Sequence, residues 1–211
     1  MGQISFSRIV LSFLISTLLF ISIFIISNWI IISEYQRNTE LQQRIEQKIY
    51  FIDSNAIQNC TDYLTTASIE LDNAGSILGI LEDRLGKNNP IVISQKENYS
   101  RLELKHFFSI KNYMKRCNKN ITTILFFYSN KKEYTEDAEI KGYILSKIKR
   151  DDPERIMIYS FDYDLNTETI NILKELYNIK KPNIIIINEK TILYDLKDIN
   201  DIIDYINPEK F

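Results

Sequence analysis

The chain has 211 residues, with 26 basic and 28 acidic side chains and a formal net charge of −2 at pH 7. This balance argues against a nucleic-acid-binding protein, because such a protein needs a basic surface to neutralise phosphates. Apolar residues make up 45% of the chain and aromatic residues 12%, which excludes an intrinsically disordered chain. Beyond a long apolar segment, about 180 residues remain, enough for one ordinary domain or two small ones.

That apolar segment covers residues 9–32 and contains no charge, after a short N-terminal tail at residues 1–8. As a helix it would be about 36 Å long, enough to cross a hydrocarbon core of roughly 30 Å. The alternative is a cleaved signal peptide, but the segment is too long and no pair of small residues marks a cleavage point. The segment therefore predicts a single-pass transmembrane anchor and a cell-membrane location.

Basic residues do not decide the orientation of this anchor. Arg8 precedes it, whereas Arg37, Arg44 and Lys48 follow it, so the positive-inside count is indecisive or slightly favours a cytoplasmic C-terminal part. We nevertheless expect the part after the anchor to lie outside the cytoplasm, because of the two cysteines described below.

A repeat of apolar and small residues, at alternating steps of three and four, covers residues 57–85. This heptad spacing predicts a helix with one packed face. Asn89 followed by Pro90 is typical of the start of a second helix, which is expected to end near residue 116. This pattern therefore predicts an antiparallel helical hairpin over residues 57–117. The polar segment at residues 33–56 is expected to form a helical stalk that joins the hairpin to the anchor.

The two cysteines of the chain fit this hairpin. Cys60 and Cys117 lie at equal distances along the chain from the turn at Asn88 and Asn89. Equal arms put them at the same height in facing helices, where Cα atoms can come within the roughly 7 Å that a disulfide needs. Such a bond would stabilise the fold by about 4 kcal/mol and persists only in an oxidising compartment. The alternative is two unrelated buried thiols in a cytosolic protein; we favour the disulfide.

The C-terminal part alternates short apolar runs with amphipathic segments. Strands are expected at residues 122–128, 155–161, 183–187 and 191–194, and helices at residues 136–149, 167–177 and 199–206. The resulting order β-α-β-α-β-β-α implies a right-handed crossover between two parallel strands, followed by a closing antiparallel hairpin.

Two short stretches of this part resemble a known family. The sequence FDYD at residues 161–164 resembles an Asp-x-Asp at the exit of the second strand, and YNIKKPNI at residues 177–184 resembles a tyrosine–isoleucine–proline pattern that enters a strand. On these stretches, residues 121–208 resemble the thioredoxin superfamily, and in particular membrane-anchored thioredoxin-like proteins of AT-rich prokaryotes, archaea included. The resemblance implies an α/β fold with a C-terminal thioredoxin-like domain after the anchor and the α-helical hairpin.

The resemblance also implies two site regions. One is a cis-proline at Pro182, flanked by Lys181 and Asn183, beside a cleft that binds extended peptides. The other is the Cys-x-x-Cys motif at the start of the first helix, where the helix dipole lowers the pKa of the first thiol.

This chain departs from the family at that motif. No cysteine follows Cys117, and the resemblance places the motif at Thr135, Glu136, Asp137 and Ala138. We expect Thr135 to cap the helix instead, because its hydroxyl can accept a backbone hydrogen bond. No catalytic residue is expected there, so the domain is predicted to be redox-inactive.

Other chemical motifs are missing from the sequence. There is no Walker loop and no G-x-G-x-x-G, and the Asp-x-Asp-x-Asn at residues 162–166 lacks the Gly and Glu of a calcium loop. His106 is the only histidine, without a second His or a Cys at ligand spacing, so a packed or half-exposed helix residue is expected rather than a metal ligand. No cofactor and no metal are expected.

Three functions stay open on the sequence. The first is an extracytoplasmic, redox-inactive protein that binds a protein partner or client through the cleft beside Pro182. The second is a thiol–disulfide oxidoreductase that cycles Cys60 and Cys117, although a cysteine on the packed helix face is expected to be buried and structural. The third is a structural coiled-coil spacer whose helical region also forms a homo-oligomer.

Overall fold

The computed structural model describes residues 6–53, residue 60 and residues 63–206. Parts of the predicted tail, stalk and hairpin, at residues 1–5, 54–59 and 61–62, lie outside these residues, as does the end of the chain from residue 207. The elements are α1 (Phe6–Asp53), α2 (Tyr63–Leu85), α3 (Pro90–Cys117), β1 (Thr122–Tyr128), α4 (Lys132–Asp151), β2 (Ile156–Asp162), α5 (Glu168–Leu176), β3 (Ile184–Ile187), β4 (Thr191–Leu193) and α6 (Asn200–Ile206).

Helix α1 is continuous from the apolar segment into the stalk. Among the described helices it alone is long and apolar enough to cross a membrane, a criterion of length and composition only. Its side chains at residues 6–29 are all exposed. A helix with apolar side chains exposed all around is the arrangement that a lipid environment favours.

The second half of α1 is helical, as the sequence predicts for the stalk, but it packs against the rest of the chain. Leu41, Ile45 and Ile49 are buried and belong to one hydrophobic cluster with residues of α2, α3 and the sheet. These three residues recur every four positions, so a narrow apolar stripe suffices to pack an otherwise polar helix. The stalk and the hairpin thus form a bundle of three helices.

The packed face of α2 agrees with the predicted repeat where the structure describes its side chains. Buried on it are Ala67, Leu71, Ala74, Leu78 and Leu81. The start of α3 is also as predicted: Pro90 is the first helical residue, and the side chain of Asn89 accepts a hydrogen bond from the amide of Ile91 at 2.9 Å.

The four strands form one mixed sheet in the order β2-β1-β3-β4. Strands β1 and β2 are parallel, whereas β3 is antiparallel to both β1 and β4. Residues of α3 and α5 pack on one face of the sheet, and residues of α4 and α6 pack on the other. The predicted order of helices and strands is therefore present, in a mixed α/β chain with a long N-terminal apolar helix.

Candidate functional site

The residues of the predicted site lie together at one edge of the sheet, where strands β1 and β2 end. Strands β1 and β2 are parallel and end side by side, with Tyr128 opposite Asp162. Strand β3 runs antiparallel to β1, so the loop that precedes β3 lies at this same edge. This loop, residues 177–183 with Pro182, is called the proline loop. Helix α4 begins four residues after β1 ends. The proline loop, the start of α4 and the Asp-x-Asp stretch are thereby brought together.

Asn183 joins the proline loop to its neighbours and is only 3% exposed. Its amide donates to the carbonyl of Phe127 at 2.6 Å. Its side-chain Oδ1 accepts from the amide of Ser129 at 3.0 Å, and its Nδ2 donates to the carbonyl of Tyr134 at 2.8 Å. Its φ of 58° is left-handed, a conformation that asparagine tolerates better than most residues.

Lys141 of α4 holds the other side of this loop and is 2% exposed. Its Nζ donates to the carbonyls of Asn183 and Tyr194, both at 2.7 Å, and to Oδ2 of Asp137 at 2.8 Å. An ammonium group has three protons to donate, so all of them are used. Lys141 therefore ties α4 to the proline loop and to the end of β4.

The cis-proline that the resemblance implies is not present. No peptide bond among the described residues is cis, so the bond between Lys181 and Pro182 is trans. The left-handed backbone of Asn183 makes the turn into β3 instead. Pro182 is half-buried and Lys181 is exposed, with its Nζ 4.4 Å from the ring centre of Tyr194.

Thr135 does not cap α4, contrary to the sequence prediction. The helix begins at Lys132, and Lys131 is the capping residue, without a side-chain capping bond. Thr135 lies inside the helix, where its hydroxyl donates to the carbonyl of Lys131 at 3.0 Å. The residues before Thr135 are polar and show no helical repeat of apolar residues. The sequence pattern therefore places the start of α4 about one turn too late.

The other residues of the predicted motif have different surroundings. Glu136 is exposed, Asp137 pairs with Lys141, and Ala138 and Thr135 line a cavity described below. The structure thus brings only Asp137 to the proline loop, through Lys141.

The FDYD stretch belongs to a network of ion pairs. Lys96 of α3 is buried between Oδ2 of Asp162, at 2.8 Å, and Oε1 of Glu82, at 2.9 Å. Burial would lower the pKa of Lys96, but the two carboxylates outweigh burial and raise it, so Lys96 stays charged. Asp162 also accepts from Nδ2 of Asn130 at 3.0 Å, which links β2 to the start of α4.

Asp164 completes this network on the solvent side. Burial would raise its pKa, but the hydroxyl of Ser129, at 2.6 Å, and Nζ of Lys131, at 3.0 Å, hold the pKa of Asp164 below its usual value. The two aspartates of the stretch therefore fix the loops around the site and are already engaged by the chain itself.

Comparison with known proteins gives this arrangement no assignment. No protein family, curated protein or solved structure matches the chain.

Of the two surroundings predicted for His106, packed or half-exposed, the structure shows the packed one. It is buried, with Nδ1 3.0 Å from the hydroxyl of Tyr159 and Nε2 3.1 Å from the hydroxyl of Ser68. In the parts of the chain that the structure describes, no group of three or more His, Cys, Asp or Glu side chains could hold a metal ion.

The predicted disulfide between Cys60 and Cys117 is present, with Cα atoms 5.7 Å apart. Its surroundings differ from the prediction, because Cys60 itself is not helical. Cys60 is exposed and Cys117 is half-buried at the end of α3. The bond anchors the chain before α2 to α3 and is open to solvent on the Cys60 side.

The sequence pattern does not predict the cavity beside the site. A cavity of about 460 Å³ lies between α2, α3, α4 and β2, and the buried carboxyl group of Glu103 lines it. A glutamate on a helix rich in charged residues is usually exposed, so only the docking of α3 against the sheet identifies this group.

Proposed function

We propose that this protein is a single-pass membrane protein that displays a redox-inactive, thioredoxin-like domain outside the cytoplasm and binds an extended segment of a protein partner or client there. The order β-α-β-α-β-β-α, with a parallel first pair of strands and an antiparallel closing hairpin, supports the thioredoxin-like part of the proposal. The disulfide supports the extracytoplasmic location.

The observation that carries the binding function is a rim of exposed side chains around Pro182, formed by Tyr134, Lys181 and Tyr194. The backbones of the two tyrosines are fixed, because the carbonyl of Tyr134 accepts from Asn183 and that of Tyr194 accepts from Lys141. Tyr194 nevertheless keeps 49% of its surface exposed. Aromatic side chains on a fixed backbone are effective anchors for a protein partner, since little conformational entropy is lost on binding.

The backbone of the loop defines how a partner segment can bind. The amide and carbonyl of Asn183 are used within the chain, by Phe127 and Lys141. Among the described residues, none is hydrogen-bonded to the amide or carbonyl of Lys181. An extended segment can therefore pair with Lys181 through its backbone, while its side chains contact Tyr134 and Tyr194.

Site-specific crosslinking in native membranes tests this function. A photo-crosslinking amino acid at position 194 should give a discrete adduct with the partner, whereas the same amino acid at position 105 should not. Lys105 is a matched control because it is exposed on α3, where it pairs with Glu46 of α1, away from the proline loop. The substitution Lys181→Glu should reduce the adduct at position 194. Equal adducts at both positions, or none at position 194, would contradict the proposal.

A second function is favoured by one observation, the exposure of Cys60. An exposed disulfide is accessible to a thiolate, so Cys60 and Cys117 meet one requirement of an exchanging pair. Insulin reduction by the purified protein separates the two functions. We expect no activity; activity that disappears in Cys60→Ser would establish the oxidoreductase instead.

The spacer function receives less support. The apolar face of α2 that would form a coiled coil between chains packs against helices of its own chain. A homo-oligomer would therefore need another surface, and sedimentation of the detergent-solubilised protein measures its state.

A further inference from the structure

Two contacts between elements line the cavity beside β2. In one, Nζ of Lys149 on α4 lies 2.6 Å from Oδ1 of Asp72 on α2. In the other, Nζ of Lys87 donates to Oδ1 of Asn130 at 2.7 Å. Both lysines are therefore already paired. The volume of about 460 Å³ is in the range that accommodates a small molecule.

Glu103 lines this cavity and carries a buried polar atom without a partner. The side chain is 2% exposed, and its Oε1 accepts from the amide of Ser160 at 2.8 Å. Its Oε2 has no hydrogen-bond partner among the described residues. A buried carboxyl oxygen without a partner is unfavourable, and a ligand that forms a hydrogen bond with it removes this cost.

Two phenols complete the polar lining. Tyr99 and Tyr128 both line the cavity together with Glu103. Burial raises the pKa of both hydroxyls well above the usual value, so both stay neutral and each oxygen can accept a hydrogen bond. Their rings also offer the negative face that attracts a cation.

We propose that this cavity binds a small molecule with a primary ammonium group, held by Oε2 of Glu103 and by the hydroxyls or rings of Tyr99 and Tyr128. An ammonium has three donors, which matches a lining in which these three groups can accept. The two lysines of the lining are already paired, with Asp72 and Asn130, and leave no free cation among the described residues of the lining to hold an anion. The apolar side chains of Phe126, Leu145 and Ile158 suit a short hydrocarbon body, and they also line the cavity.

Proton release accompanies this binding. Burial raises the pKa of Glu103 well above its usual value, although the hydrogen bond from Ser160 and the charge of Lys149 oppose the shift. The cation favours the ionised carboxyl, whose proton passes to solvent, so affinity increases with pH. The other titratable groups around the cavity are Asp72, Lys87, Tyr99, Tyr128, Glu139 and Lys149.

Calorimetry on the full chain in non-ionic detergent tests the proposal, with n-butylammonium as probe and 1-butanol as its neutral counterpart. We expect saturable binding of the ammonium that is tighter at about pH 8 than at about pH 5. Glu103→Gln keeps the acceptor for Ser160 and should weaken binding by about tenfold or more, since a charged hydrogen bond is lost. Glu97→Gln, the same change at an exposed position of α3 outside the cavity lining, should change it by less than about twofold.

Three results would overturn the proposal: equal binding of 1-butanol, unchanged binding in Glu103→Gln, or no saturable binding of the ammonium. Tyr99→Phe provides an independent check if Glu103→Gln unfolds, because it removes one acceptor and keeps the ring; it should weaken binding without abolishing it. The crosslink at position 194 should be unaffected in both variants, which separates this proposal from the partner-binding function.

Discussion

Lys141 and Asn183 show how single polar side chains determine the shape of the proline loop. Lys141 donates to two carbonyls and a carboxylate, and Asn183 bonds to β1 and α4 at once. Hydrogen bonds that join several elements in a buried place make the geometry of each element depend on the others. The rim around Pro182 therefore owes its position to these two residues.

The first prediction concerns Lys141. Lys141→Met keeps the long stem but removes the ammonium, leaving the carbonyls of Asn183 and Tyr194 without their donor. We expect a loss of about 2–4 kcal/mol in the free energy of unfolding, measured by urea denaturation followed by circular dichroism. Lys147→Met, at an exposed position of the same helix, should change it by less than about 0.5 kcal/mol. Equal midpoints for the two variants would contradict this role of Lys141.

The second prediction concerns the pH dependence of stability. The pKa of Glu103 is raised in the folded protein, mainly by burial, so the folded state binds its proton more tightly than the unfolded state. Its contribution to stability is therefore complete below the ordinary pKa of a glutamate and is lost as the pH rises through the folded pKa. The unfolding temperature of Glu103→Gln should lack this decrease. Parallel pH profiles for the wild type and the variant would show that Glu103 is not the group responsible.

At the scale of elements, the sequence predicts one of two helix caps correctly and fails on helix faces with mixed chemistry. Asn89 caps α3 through its side chain, as predicted, whereas α4 begins at Lys132, before the predicted cap Thr135. By contrast, the helical period groups Tyr143 with Ile144, yet Tyr143 is 67% exposed whereas Ile144 is buried. Lys141 is buried on this helix because tertiary acceptors surround it, and no sequence pattern encodes those acceptors.

The start of α4 leads to the third prediction. The first helical residue is Lys132, so a Cys-x-x-Cys motif at the helix start corresponds to Lys132 and Thr135. Lys132→Cys with Thr135→Cys should form an exchangeable disulfide, because the helix N-terminus lowers the thiol pKa. Thr135→Cys with Ala138→Cys places the first thiol one turn farther in and should exchange several-fold more slowly. Exchange rates with glutathione compare the two; a faster second variant would contradict this placement of the helix start.

At the scale of the whole molecule, the stalk, the hairpin and one face of the sheet share a hydrophobic cluster, and α4 and α6 form a second one on the other face. The long apolar helix, the hairpin and the order of strands and helices are predictable, because each has a long periodic or apolar signal. The packing of the helical bundle on the sheet is not, because part of it uses Lys96, Glu103 and His106. Such residues are usually exposed or half-exposed on a helix, and only the three-dimensional fold supplies their partners.

The fourth prediction concerns membrane orientation. Because the disulfide between Cys60 and Cys117 requires an oxidising compartment, protease added to spheroplasts should digest the part after the anchor. A cytoplasmic marker protein should stay intact in the same sample. Complete protection of the part after the anchor until the membrane is permeabilised would place it in the cytoplasm.

The continuity of α1 has a mechanical consequence. The helix runs without interruption from the apolar segment into the bundle core at Leu41, Ile45 and Ile49, and Arg84 at the end of α2 lies in the same groove as Ile30 of α1. Where α1 crosses a bilayer, as its length and composition allow, the unbroken helix couples the tilt of the span to the orientation of the bundle. A thinner bilayer is expected to tilt a transmembrane helix further, and the bundle would then tilt with it. Bilayer thickness would thus set the height and direction at which the rim around Pro182 is presented.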